Sequence, residues 1–175
     1  MDTKYKILQK ENIENNHDFL EIKRLAREIF TFMNLPEISQ EISNTHKINA
    51  KSVAIQNILL KKMNELGFES EKTGLFSKYK TGALRPDYYK KLGQNTGIII
   101  EVERGKTIAN NMDMLDIWKC HICEEVNYLF LIVPQIRSTK KGTEDIIYNK
   151  VIDRLESFFK KNNYLNIDAV VIFGY

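Results

Sequence analysis

The eleven residues GIIIEVERGKT, residues 97–107, decide how the rest of the chain is read. Gly97 opens a run of three isoleucines with the length and composition of a buried strand, and the run ends in Glu101, Val102 and Glu103. Side chains two apart on a strand share a face, so Glu101 and Glu103 project together and Val102 opposes them. Two carboxylates side by side repel one another, and covering them costs solvation free energy. A divalent cation removes that conflict. Magnesium takes hard oxygen ligands, keeps several waters and is anchored by one or two protein carboxylates.

A third acid lies upstream. Asp87 follows Pro86 in LRPDYYK, a segment that reads as extended, and Lys90, Lys91, Gly93, Gln94, Asn95 and Gly97 make the intervening stretch turn-rich. The two segments are expected to form a hairpin that sets Asp87 beside Glu101. Lys78, Lys80, Arg85, Lys90, Lys91 and Arg104 flank these acids, together with Lys106, and are expected to hold phosphates. The net charge of +3 is unevenly spread: residues 51–110 carry 11 basic and 6 acidic side chains, against 7 and 8 in residues 1–50 and 8 and 9 in residues 111–175. The basic excess therefore surrounds the acids. Tyr88 and Tyr89 read as half core and half surface, with a nucleic-acid contact as the sharper alternative.

Working outward, periodicity predicts helices over residues 18–33 (Phe19, Ile22, Leu25, Ile29, Phe30 and Met33 on one face) and 37–43, which together make residues 1–48 a helical N-terminal extension. An α/β core follows over residues 49–175. Its first helix, over 49–66, turns Val53, Ile55, Leu59, Met63 and Leu66 inward and ends at Gly67, where a left-handed residue is wanted. Extended pieces are expected at 68–71, 75–79 and 84–89, then at 98–104, 128–133 and 168–173. Helices are expected over 107–125 and 143–161. Strand, helix and strand in succession favour parallel pairing, so the fold class is α/β, a mixed central sheet flanked by helices. With 43% hydrophobic residues in 175, one domain with a real core is expected. No apolar run approaches the roughly 20 residues of a spanning helix, no secretory pattern opens the chain, and two cysteines do not call for a disulfide, so a cytoplasmic protein is expected.

Pro86-Asp87 followed by Glu101-Val102-Glu103 resembles the split motif of the PD-(D/E)XK, or restriction-endonuclease-like, nuclease superfamily. Glutamate stands where the usual lysine is found, a variant similar to that of some type II restriction endonucleases. The expected element order over residues 49–133 resembles the common core of that superfamily. The resemblance implies a magnesium-dependent endonuclease, foremost a type II restriction endonuclease, acting on double-stranded DNA as a homodimer. It implies that Asp87, Glu101 and the carbonyl of Val102 hold the ion, that Glu103 orients or deprotonates the attacking water, and that Lys106 is the candidate for the missing lysine. The alternatives on this fold are a repair, recombination or mobile-element nuclease, or a DNA-binding protein without catalysis.

Rival motifs carry less. Gly105-Lys106-Thr107 is not a phosphate-binding loop, because position 100 holds Ile where glycine is required; Thr107 is expected near a helix cap. Cys120-His121-Ile122-Cys123 lacks a second ligand pair and falls late in its helix, against a zinc or redox role. His17 and His46 read as surface residues. Ile108, Met112, Leu115, Trp118 and Ile122 read as the core stripe of the 107–125 helix, which leaves Asp113 and Asp116 on a solvated face.

Overall fold

The computed structural model describes residues 2–47, 50–79, 84–138 and 142–175. Three apolar runs, β4 (Gly97–Val102), β5 (Tyr128–Val133) and β8 (Ala169–Gly174), are buried along their whole length. Strands covered on both faces are what a parallel sheet with crossover helices requires. β4 pairs parallel with β5, and β5 parallel with β8. The connections carry α4 (Met112–Ile122) and α5 (Ile147–Glu156). β3 (Tyr88–Lys91) and the short β2 (Glu69–Ser70) extend the β4 edge antiparallel, and β1 (Lys4–Gln9) closes the other edge against β8. The sheet order is β1-β8-β5-β4-β3-β2. A separate hairpin pairs β6 (Ile136–Ser138) with β7 (Glu144–Ile146).

Each face of the sheet has its own core. Ile98, Ile100 and Val102 of β4 pack with Phe130 and Phe173 against α1 (His17–Met33) and α3 (Ser52–Glu65). Ile99 joins Leu129, Leu131, Val170 and Ile172 beneath α4 and α5. Period-two alternation thus sends Glu101, which follows Ile99, to the α4 side.

Several expectations change. The expected helical N-terminal extension is built into the fold: Phe19, Ile22, Leu25, Ala26, Ile29 and Met33 of α1 sit in the main core, with Ile42 of α2 (Pro36–Thr45) beside them. β1 was hidden in a lysine-rich stretch because an edge strand needs only Tyr5 and Ile7 inward on one face and Leu8 on the other. Residues 75–79 form turns rather than a strand, and Leu75 and Phe76 are buried from there. Gly67 ends α3 at φ +80°, as the sequence requires.

The largest change is in α4. It begins at Met112, after turns over 107–111 that end in left-handed Asn111 (φ 53°), so Thr107 is a buried turn residue and not a cap. Asp113, Asp116, Ile117 and Cys120 face inward, while Leu115 and Trp118 remain 45% and 42% exposed. The helix is turned about one residue, roughly 100°, from the face that apolar spacing favours.

Candidate active site

The site begins with the β3–β4 ladder, in which Tyr88 pairs with Ile100. One step further, the register sets Asp87 opposite Glu101. Asp87 Oδ2 accepts a 2.7 Å hydrogen bond from the Val102 N–H, which fixes the carboxylate at the C-terminal end of β4. The Glu103 N–H donates to the Ile132 carbonyl at 2.8 Å and carries the parallel ladder one residue beyond β4. Glu103 therefore stays on the face of Glu101, as the alternation demands. The hairpin expected from the sequence is present, and it brings Asp87, Glu101 and Glu103 to one strand end.

α4 completes the enclosure. Lys119 Nζ lies 2.9 Å from Glu101 Oε1 and 3.0 Å from Asp116 Oδ1, so an ammonium bridges strand and helix. Glu101 is 4% exposed and Asp116 fully buried. Neither oxygen of Asp116 accepts a well-directed hydrogen bond, despite the Lys119 contact. Asp113, also fully buried, has Oδ2 3.1 Å from Arg154 Nε of α5, which pins the start of α4.

Electrostatics follow from this crowding. Burial pushes the Glu101 carboxyl well above its usual range and the Asp116 charge pushes it further, against the pull of Lys119. Glu103 is raised to about 8, first by burial and then by Asp116. Asp116 is raised to about 6 by burial, against Lys119. Asp87 rises by burial, opposed by the Val102 N–H and Lys119. Burial lowers Lys119, but Glu101 and Asp116 outweigh it and hold the amine protonated. Four acids face one ammonium, so once ionised they carry a surplus of negative charge that hydrogen bonds do not absorb.

That surplus suits a cation. Among the described residues no group of three or more His, Cys, Asp or Glu side chains is disposed to hold a metal ion. Magnesium needs only one or two carboxylates with waters, and Asp87 and Glu101 on adjoining strands meet that need in donor chemistry.

The flanking cations divide into two groups. Lys78, Arg85, Lys91 and Lys106 are exposed, Lys78 at 2.7 Å from Glu124 and Arg85 at 3.6 Å from Glu71. Lys90 donates to the Leu66 carbonyl at 2.7 Å, and buried Arg104 donates to the Ala50 carbonyl. Lys90 and Lys91 pair with Ile98 and Gly97, three and four residues from Glu101, and so sit roughly 10–13 Å along the strand from the acids. Lys80 lies outside the described residues. Tyr88 and Tyr89 are both buried, and so belong to the core. His46 is not a plain surface residue: its ring meets Tyr175 edge-on at 5.4 Å and its Nε2 lies 2.9 Å from the Ile136 carbonyl oxygen. Cys120 and Cys123 are free, buried thiols pushed up by burial.

The sequence places Asp113 and Asp116 on a solvated face and assigns no role to Lys119, whereas the structure turns all three toward the site. Their spacing, i, i+3 and i+6 on one helix, was the available signal, but apolar periodicity gave the inward face to Leu115 and Trp118 instead.

No protein-family model matches the chain, and no curated protein matches it. Among solved structures it is similar to the restriction endonuclease BglII complexed with a DNA 16-mer, with a TM-score of 0.54 and 12% identity, over 99% of this chain and 76% of that one. The fold is restriction-endonuclease-like. At this identity the likeness speaks for the fold alone. No helix among the described residues is long and apolar enough to cross a membrane.

Proposed function

We propose that the chain is a magnesium-dependent endodeoxyribonuclease of the Glu-x-Glu variant, a type II restriction endonuclease of the cytoplasm that cuts double-stranded DNA as a homodimer. The observation that carries this reading is the meeting of Asp87 with Glu101 across the β3–β4 pair, with Glu103 next on the same face, inside a restriction-endonuclease-like fold. Asp87, Glu101 and the carbonyl of Val102 hold the ion. When bound, magnesium supplies positive charge beside the scissile phosphate and makes a better nucleophile of water. Glu103, on the same face as Glu101, orients or deprotonates the attacking water, giving up the proton that burial favours once a cation is bound beside it. The buried walls of α4 and the β4 end keep bulk water from diluting these fields.

Arg85 and Lys106, exposed on the segments that enter and leave the acid pair, are assigned to the phosphate backbone, with Lys78, Lys80 and Lys91 as outer contacts. Lys90 and Arg104 act through the carbonyls they already hold. A homodimer follows from the substrate, since two-fold symmetry matches a palindrome. Exposed Leu115 and Trp118 on α4 supply apolar surface of the kind that subunit contacts bury.

Unmethylated plasmid DNA incubated with magnesium, with EDTA, and with an Asp87→Ala variant tests the reading. Discrete fragments that require both magnesium and Asp87 are expected. Structure-dependent nicking would move the protein to repair or recombination, and a gel shift without cleavage would make it a binding module. Sedimentation of wild type against Trp118→Ser reads the subunit contact.

A further inference from the structure

Beside the acids assigned to the metal stands a charge with no part in holding it, the ammonium of Lys119. Its side chain is 13% exposed, and its Nζ touches both Glu101 and Asp116. Glu101 is the acid to which the ion is assigned, so ammonium and ion compete for the same carboxylate. Asp116 is fully buried, and neither of its oxygens accepts a well-directed hydrogen bond. It can therefore take a stronger share of the amine without giving up another partner.

Resting on the nuclease reading, we infer that Lys119 is the resident counter-cation of the acidic enclosure, that a divalent cation displaces it from Glu101, and that Asp116 is the seat that receives the displaced ammonium.

Three observations converge on this exchange. Asp87, Glu101 and Glu103 gather at one strand end with Asp116 facing them from α4, Glu101 and Asp116 almost wholly buried, and Lys119 supplies from within the chain the positive charge that these two carboxyls touch. A flexible four-carbon stem carries the charge, so Nζ can leave one carboxylate while staying on the other. Lys119 and Asp116 lie three residues apart on α4, which keeps the receiving carboxylate beside the amine wherever the strand end moves. Lys119 is in this scheme a positioning residue.

Manganese binding to the full chain, followed by electron paramagnetic resonance of free Mn2+, tests the exchange. Lys119→Met is expected to bind Mn2+ about tenfold or more tighter than wild type, since the competitor is gone. That variant leaves its acids uncompensated, so the double variant Asp116→Asn with Lys119→Met is measured beside it. The double variant keeps the net local charge of the wild type while removing both the amine on Glu101 and its seat on Asp116. It too is expected to bind Mn2+ tighter than wild type. Equal affinity of wild type and double variant would overturn the exchange and leave Lys119 as a fixed charge. If neither wild type nor double variant binds Mn2+, or if Asp87→Asn binds as well as wild type, the metal assignment itself has failed.

Discussion

Asp87 Oδ2 and the Val102 N–H meet at 2.7 Å across two antiparallel strands. This single hydrogen bond ties the acid of a loop end to the backbone of the buried central strand. It also places the Asp87 carboxylate beside Glu101, the residue that precedes the donor. Asp87 is therefore held both by the sheet register and by its own side chain.

Replacing Asp87 by Asn keeps an acceptor for that N–H and removes the charge. DNA cleavage is expected to fall by about 10²–10³ in rate, the size seen when one charge-stabilising group is lost. Circular dichroism and the thermal midpoint should stay near wild type. Retained cleavage in magnesium would remove Asp87 from the site.

Stability should depend on pH with a sign opposite to that of most carboxylates. Glu103 rises to about 8 and Asp116 to about 6, from ordinary values of 4.5 and 3.8. Between those limits the folded chain keeps protons that the unfolded chain releases, so stability is greatest at the acid end and declines as pH rises toward 8. Urea midpoints in EDTA at pH 5.5 and pH 8.5 read the decline, which Glu103→Gln should flatten and magnesium should offset. A midpoint that climbs across this window in EDTA would contradict the shared enclosure.

Gly97 opens the central strand under close backbone approach. A Cβ added there would meet the Glu125 carbonyl oxygen at 2.6 Å and the Tyr89 ring at 2.9 Å. Neither is the free end of a flexible chain, so β4 must shift. Gly97→Ala is expected to cost about 1–3 kcal/mol, read from chemical denaturation. Gly105 is the control, because a Cβ added there would meet nothing within 4 Å, and Gly105→Ala should leave stability nearly unchanged.

Arg154 Nε of α5 lies 3.1 Å from Asp113 Oδ2, and this ion pair is expected to hold the rotation of α4. Arg154→Met strands a fully buried carboxylate, at a cost of about 2–4 kcal/mol once partial exposure of the arginine is allowed for. Adding Asp113→Asn should recover much of the loss in a double-mutant cycle. A purely additive cycle would mean that the pair does not hold the helix.

Much of this protein is legible in one dimension. The isoleucine run with its two following acids is a strand whose side-chain alternation puts Glu101 and Glu103 on one side, and the turn-rich link back to Pro86-Asp87 is a hairpin, because both rest on local backbone geometry. The strand at Tyr128–Val133, the left-handed Gly67 and the mixed sheet follow in the same way. Tertiary structure decided the rest. Apolar spacing alone assigns Leu115 and Trp118 of α4 to the core, yet the helix turns Asp113 and Asp116 inward. That outcome depends on Arg154 and Lys119 arriving at hydrogen-bonding distance to offset the burial of charge, and ion pairing across elements leaves no period in a sequence. The same holds for β1, whose place at the sheet edge is set by β8 at the far end of the chain and not by its own lysine-rich residues.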